Sequence, residues 1–167
     1  MDSDEEALAR GRALSSPLRI RILRICLHEP HTNKQIADRL GVSPAAALHH
    51  VRTLEQNGFL EALEPRRGRR GAREIPYRAT GLSWQTPLSR EHGQAQLLLD
   101  TFLQEVAEVP PGEVEMVRVG YKLDEEHVEE FRTRLHDLLT EFKDRGADPD
   151  GTPISVFIAQ HPDPQSG

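Results

Sequence analysis

The sequence predicts a mainly helical α+β fold. Three observations carry that expectation. Ser16-Pro17, Thr32-x-x-Gln35 and Ser43-Pro44 each mark a helix start in the first half. Two apolar runs flank an arginine- and glycine-rich loop at 65–71, the pattern of a β-hairpin. Two further runs of period two, at 116–122 and 154–159, bracket a striped helix near the C-terminus.

In chain order, a first helix is expected over 5–14. A second, 18–28, places Leu18, Ile22, Ile25 and Cys26 at helical spacing and ends at Glu29-Pro30. The capping box at Thr32 opens a third, with Ile36, Ala37 and Leu40 on its core face and Gly41 suited to its C-terminal turn. The fourth runs over 44–57 and stops at Gly58. Phe59, Leu60 and Leu63 predict a short strand, and 75–79 the strand that returns. Residues 81–86 read as a connector. A long helix is then expected over 87–109, where Leu88, His92, Ala95, Leu99, Phe102, Val106 and Val109 recur at alternating spacings of four and three. That is a heptad seam, with only His92 out of character. Pro110-Pro111-Gly112 breaks the chain. The last block predicts strand, helix and strand, the helix capped by Asp124 and striped with Val128, Phe131, Leu135, Leu138, Leu139 and Phe142. The expected organisation is a domain of helices and a hairpin at 1–82, a long helix and linker at 83–112, a small β-α-β domain at 113–160 and a disordered tail at 161–167.

Composition narrows the classes of function. The 167 residues are 37% hydrophobic and 29% charged, as in a globular protein. No apolar run approaches the ~18 residues of a membrane helix, so no membrane partner is expected. The acidic N-terminus lacks the apolar core of a secretory signal, and the one cysteine, Cys26, cannot form an internal disulfide. A cytoplasmic location is expected. The net charge of -6 hides an asymmetry: residues 8–80 hold 14 basic against 6 acidic side chains, whereas 81–167 hold 7 against 17. A basic half joined to an acidic half favours a polyanion as partner of the first half.

The segment 32–58, two helices around a tight turn, has the form of a helix-turn-helix, in which the second helix enters the DNA major groove. At ~100° per residue, Ala47, Val51 and Leu54 share the core stripe. Ala45, His49, Arg52 and Gln56 fall opposite, with Ala46 and Thr53 nearby and Ser43 at the N-cap. Small residues at 45 and 46 let the backbone approach the bases, and alanine can touch a thymine methyl. His49 can donate or accept at a base edge, and Arg52 can take a phosphate or a guanine. His50 lies nearer the core stripe and reads as a packed residue. Five arginines in eight residues, Arg66, Arg67, Arg69, Arg70 and Arg73, form the hairpin tip, where they can follow the DNA backbone or enter a minor groove.

The pieces LSSPLRIRIL, IADRLGVSPA and HHVRTLEQNGFL, followed by an arginine wing ending in YRAT, resemble the ArsR-type winged helix-turn-helix repressors over 13–80. The resemblance implies a homodimer on an inverted repeat of double-stranded DNA, usually repressing its own promoter. It implies a recognition helix at 43–56, a wing at 64–73, and a dimer surface on the first helix and the helix 87–109. On that surface the seam residues are Leu88, Ala95, Leu99, Phe102 and Val106. The block at 114–159 resembles a strand–helix–strand extension of one subgroup. Many relatives of this type sense metal through paired cysteines on the helix before the turn. Here 33–38 carries no cysteine, and Cys26 falls on an apolar stripe. A second family site uses Asp and His on the dimer helix, but His92 and Asp100 lack its spacing. His127 and His136, nine residues apart, fall on opposite sides of their helix. No metal and no cofactor are therefore expected.

No G-x-S-x-G, P-loop or H-E-x-x-H occurs in the chain, so no catalytic residues are assigned and no enzyme is expected. Two alternatives stay open. One is a winged helix that binds protein. The other is a regulator with an unknown small-molecule effector, in which Phe131, Leu135 and Phe157 line a pocket.

Overall fold

The computed structural model describes residues 2–68, 71–86 and 92–164. The chain divides into two compact units, 1–109 and 110–167.

The first unit is built around a helix-turn-helix. Helix α1 (Asp2–Ala13) leads into α2 (Pro17–Ile25), which opens with proline in its first turn. Strand β1 (His31–Thr32) precedes α3 (Asn33–Leu40). Both halves of the capping box form: the Gln35 N–H donates to Thr32 Oγ1 at 3.3 Å, and the Thr32 N–H donates to Gln35 Oε1 at 2.9 Å. Gly41 closes α3 in the left-handed region, φ 65°, where a Cβ would be strained. Helix α4 (Pro44–Gln56) starts two residues after Val42, with the Ala46 N–H donating to Ser43 Oγ at 3.2 Å. Gly58, φ 76°, reverses the chain, and the Phe59 N–H reaches back to the Leu54 carbonyl at 2.9 Å. This Schellman-type closure drops the chain directly into β2 (Leu60–Ala62).

Strand β5 (Pro76–Ala79) is central in a three-stranded antiparallel sheet of order β1-β5-β2, with His31 opposite Tyr77 and Leu60 opposite Ala79. Strands β3 (Arg66–Arg67) and β4 (Arg73–Glu74) pair separately as the base of the wing. Strand β1 lies outside the expectation. Two residues ahead of a cap carry no periodicity, and only pairing with β5 makes them a strand.

The core gathers one stripe from each helix: Ile22 and Cys26 of the α2 segment, Ile36 and Ala37 of α3, and Ala47, Val51 and Leu54 of α4. Phe59, Leu60 and Tyr77 close it from the sheet side. Burying a Val, Leu, Ile or Phe side chain contributes ~1.5–3 kcal/mol, so this cluster fixes how α4 sits on α3. Burial pushes the Cys26 thiol up to about 11, leaving it neutral and inert within the cluster.

Residues 81–86, expected as a connector, contain a short helix α5 (Leu82–Gln85). Helix α6 (His92–Ala107) follows, and the start of the expected long helix, including Leu88, lies outside the described residues. Helix α6 packs on α2, and the Arg21 guanidinium pairs with Glu108 at 2.7 Å. The inward face differs from the heptad seam. Thr101 is buried, its hydroxyl donating to the Leu97 carbonyl at 2.8 Å, while Leu97 and Leu98 are half-buried. Of the seam, Phe102 and Val106 are half-buried, and Ala95 and Leu99 stay exposed.

In the second unit only part of the expected β-α-β pattern forms. Helix α7 (Glu125–Asp144) is capped by Asp124, whose Oδ1 accepts from the His127 N–H at 2.9 Å. No strand forms over 116–122 or 154–159 among the described residues, which corrects the expected β-α-β unit to a helix with two unpaired flanks. The physical reason is that alternation selects a strand's faces, while a ladder partner must supply its hydrogen bonds. Tyr121 of the first flank tilts onto Phe131 with ring centroids 5.8 Å apart, and Arg132 Nε donates to Oε1 of Gln160, just past the second flank, at 3.2 Å.

Candidate nucleic-acid interface

The two helices of the motif are held by a side-chain brace. Asn33 Nδ2, at the start of α3, donates to the Pro44 carbonyl at the start of α4 at 2.8 Å. The Val42 N–H closes the turn on the Ala37 carbonyl at 3.1 Å. With Ala47, Val51 and Leu54 locked inward, α4 has no rotational freedom, and its opposite face is defined.

That face presents Ala45, Ala46, His49, Arg52 and Gln56, all exposed, with the exposed Ser43 at the cap. Thr53 is half-buried, and its hydroxyl donates to the His49 carbonyl at 3.0 Å, so it is committed to its own helix. His49 and His50 meet edge to face with centroids 5.4 Å apart. His50 is half-buried beside α2. Burial first, then the charges of Arg19 and His49, push its pKa down, so the ring stays neutral. Arg19 itself is held by the carbonyls of Ala13 and Arg12, the latter at 2.9 Å.

In the wing, Arg66 stands opposite Glu74 and Arg67 opposite Arg73. The Gly68 N–H donates to the Ala72 carbonyl at 2.8 Å, closing the loop. Arg66, Arg67 and Arg73 are exposed; Arg69 and Arg70 lie outside the described residues. Arg66 also reaches the Gln35 amide oxygen at 3.5 Å, linking wing and α3. The structure thus brings one exposed face of α4 and one arginine-bearing hairpin into a single unit. Sequence reasoning missed the Asn33 brace and the docking of Arg19. Neither position carries a local pattern, since each partner is a backbone carbonyl fixed by tertiary packing. Among the described residues no group of three or more His, Cys, Asp or Glu could hold a metal ion, and no helix is long and apolar enough to cross a membrane.

Three packed helices, a helix-turn-helix and a β-hairpin after it define a winged helix-turn-helix protein. A helix-turn-helix domain family matches residues 14–61, and the chain is similar to ArsR-type winged helix-turn-helix regulators. An ArsR-like transcriptional regulator from Rhodococcus sp. RHA1 is 25% identical, with 64% of this chain and 93% of that one covered at a TM-score of 0.43. The homodimeric winged helix-turn-helix DNA-binding domain of a possible ArsR-family regulator from Mycobacterium bovis is 21% identical, covering 70% and 89% at a TM-score of 0.40. Reduced HlyU from Vibrio cholerae is 19% identical, covering 61% and 92% at a TM-score of 0.39. No curated protein matches the sequence.

Proposed function

We propose that the chain is a sequence-specific DNA-binding transcriptional repressor, acting in the cytoplasm as a homodimer on an inverted repeat, and that it performs no catalysis. The observation that carries this reading is the wing register. Arg67 directly opposite Arg73 is a like-charge pair that destabilises a hairpin standing alone. A polyanion across the tip turns that cost into attraction, and the exposed face of α4 lies in the same unit. In this reading Arg66, Arg67, Arg69, Arg70 and Arg73 take phosphates and, with Arg52, supply affinity. Ala45, Ala46, His49 and Gln56 read base edges, and Ser43 and Thr53 hold the helix they stand on.

The exposed seam of α6, Ala95 and Leu99 with Phe102 and Val106 at its edge and Leu88 before it, is the surface for the second protomer. Two recognition helices then meet successive major grooves ~34 Å apart.

Two variants test the division of labour. Replacing Arg66, Arg67 and Arg73 together by alanine is expected to weaken binding to every duplex. It should also reduce the slope of log K against log salt by up to ~3, about one unit per lost phosphate contact. His49→Ala is expected to cost ~1–3 kcal/mol on the preferred site and little on random DNA. Equal losses on both duplexes for His49→Ala would remove His49 from base readout. An unchanged salt slope in the wing variant would remove the wing from the interface.

A further inference from the structure

The wing stands partly apart from the sheet that carries it. The ladder between β2 and β5 ends with the Leu63 N–H donating to the Pro76 carbonyl at 2.8 Å. Residues 64–65 and 75 then leave the sheet, and β3 pairs with β4 in a two-stranded ladder of its own. The pairs Arg66–Glu74 and Arg67–Arg73, with the bond from the Gly68 N–H to the Ala72 carbonyl, hold the hairpin closed. A ladder broken at its base does not fix the hairpin's angle to α3 and α4, so contacts to the helices set it. Arg66 makes one, its guanidinium donating to Gln35 Oε1 at 3.5 Å.

The acceptor in that contact is fixed in advance. Gln35 Oε1 also accepts the Thr32 N–H at 2.9 Å, as one half of the capping box of α3. Because Thr32 offers a donor, the amide must turn its oxygen and not its NH2 toward this point, and an amide oxygen has a second lone pair to give. The Gln35 side chain is therefore ordered by α3, and Arg66 meets it without the cost of ordering it anew. The contact is long and its acceptor neutral, so it orients the guanidinium without capturing it. A capping box accepts Gln or Glu at this position, and a carboxylate there would bind Arg66 as an ion pair. The wing's own carboxylate does not take that part. Glu74 stands opposite Arg66, but its side chain lies across Gly68 so closely that a Cβ at 68 would collide with it.

We propose that Gln35 is a positioning residue for the wing: its amide oxygen, fixed by the capping box of α3, holds Arg66 and so sets the wing relative to the exposed face of α4, while its neutrality leaves the Arg66 guanidinium free to pass to a DNA phosphate. The second half of this inference rests on the DNA-binding reading, and the test separates the two.

In the free, full-length protein, amide residual dipolar couplings of 66–68 and 72–74 should fit the same frame as those of α3 and α4. Arg66→Ala and Gln35→Leu should each shrink the wing couplings through averaging. Thr32→Ala, which leaves the Thr32 N–H on Gln35 Oε1, should not. Wing couplings unchanged in both Arg66→Ala and Gln35→Leu would overturn the proposal whatever the protein binds. On DNA, Gln35→Glu keeps the capping box and should lower affinity for every duplex at least ~3-fold, with the slope of log K against log salt reduced by up to ~1. In the Arg66→Ala background the same substitution should change affinity less than ~1.5-fold. Equal losses in the two backgrounds would mean plain repulsion by a new carboxylate, and no loss in either would mean that residue 35 does not govern Arg66; each result overturns the proposal. Wild-type protein with no salt-dependent binding to any duplex would overturn the DNA-binding reading and the phosphate half of the proposal with it, while the couplings still decide the positioning.

Discussion

The two units differ in how their apolar residues are used. In the first, Ile22, Ile36, Val51, Leu54 and Phe59 meet in one buried cluster drawn from three helices and a sheet. In the second, a well-capped helix carries an equally regular stripe, but no described side chain is buried. Both units obey local rules of capping and periodicity, so local rules alone do not make a core. What separates them is whether complementary faces close over one another among the described residues. In the first unit they do, and α4 is held rigidly enough to present a defined surface. In the second, the two flanks that would form the complementary layer have no ladder between them.

The sharpest way to break this comparison is at the cores. Phe59→Ala should lower the stability of the first unit by ~3–5 kcal/mol in denaturant unfolding, independent of protein concentration. Phe131→Ala in the second unit should leave the unfolding of 1–109 unchanged and cost much less than Phe59→Ala, because Phe131 is exposed. A concentration-independent loss as large as that of Phe59→Ala would show that the second unit has a core of its own. A smaller effect is expected at the caps. Thr32→Ala removes one side of the capping box and should cost ~1 kcal/mol, read as a shift of the denaturation midpoint.

The smallest effect concerns pH. The backbone and side-chain hydrogen bonds from His127 hold the Asp124 carboxyl below its ordinary value. A lowered folded-state value means its stabilisation is complete above the ordinary carboxylate range and is lost as pH falls through the lowered value. The α7 signal in circular dichroism should therefore weaken slightly on acidification, and Asp124→Asn should flatten that part of the profile.

Much of the first unit was legible in the residues. The three helix starts, the glycines at 41 and 58 and the inward stripe Ala47-Val51-Leu54 are written in local chemistry, and so is the exposed face carrying Ala45, His49, Arg52 and Gln56. Strand β1 was not legible, because a two-residue strand exists only through β5. The seam along α6 was legible as a surface for a partner, but the face that α6 turns inward was not. Thr101 disappears against α2 because its hydroxyl is satisfied by its own helix at Leu97, while the more apolar Leu99 stays outside. A hydrophobic seam tells which residues seek a partner without telling which partner they find. The same holds for 116–122 and 154–159, whose alternation was plain and whose pairing was not.

The most direct test of DNA readout is a titration of the protein against its own upstream promoter duplex and a shuffled duplex of equal length. Fluorescence anisotropy at two salt concentrations would be the readout. The expected result is tight binding to the promoter, at least ~1,000-fold weaker binding to the shuffled duplex, and a steep loss of affinity for both as salt rises. Equal affinity for the two duplexes, or affinity indifferent to salt, would contradict sequence-specific DNA binding by α4 and the wing.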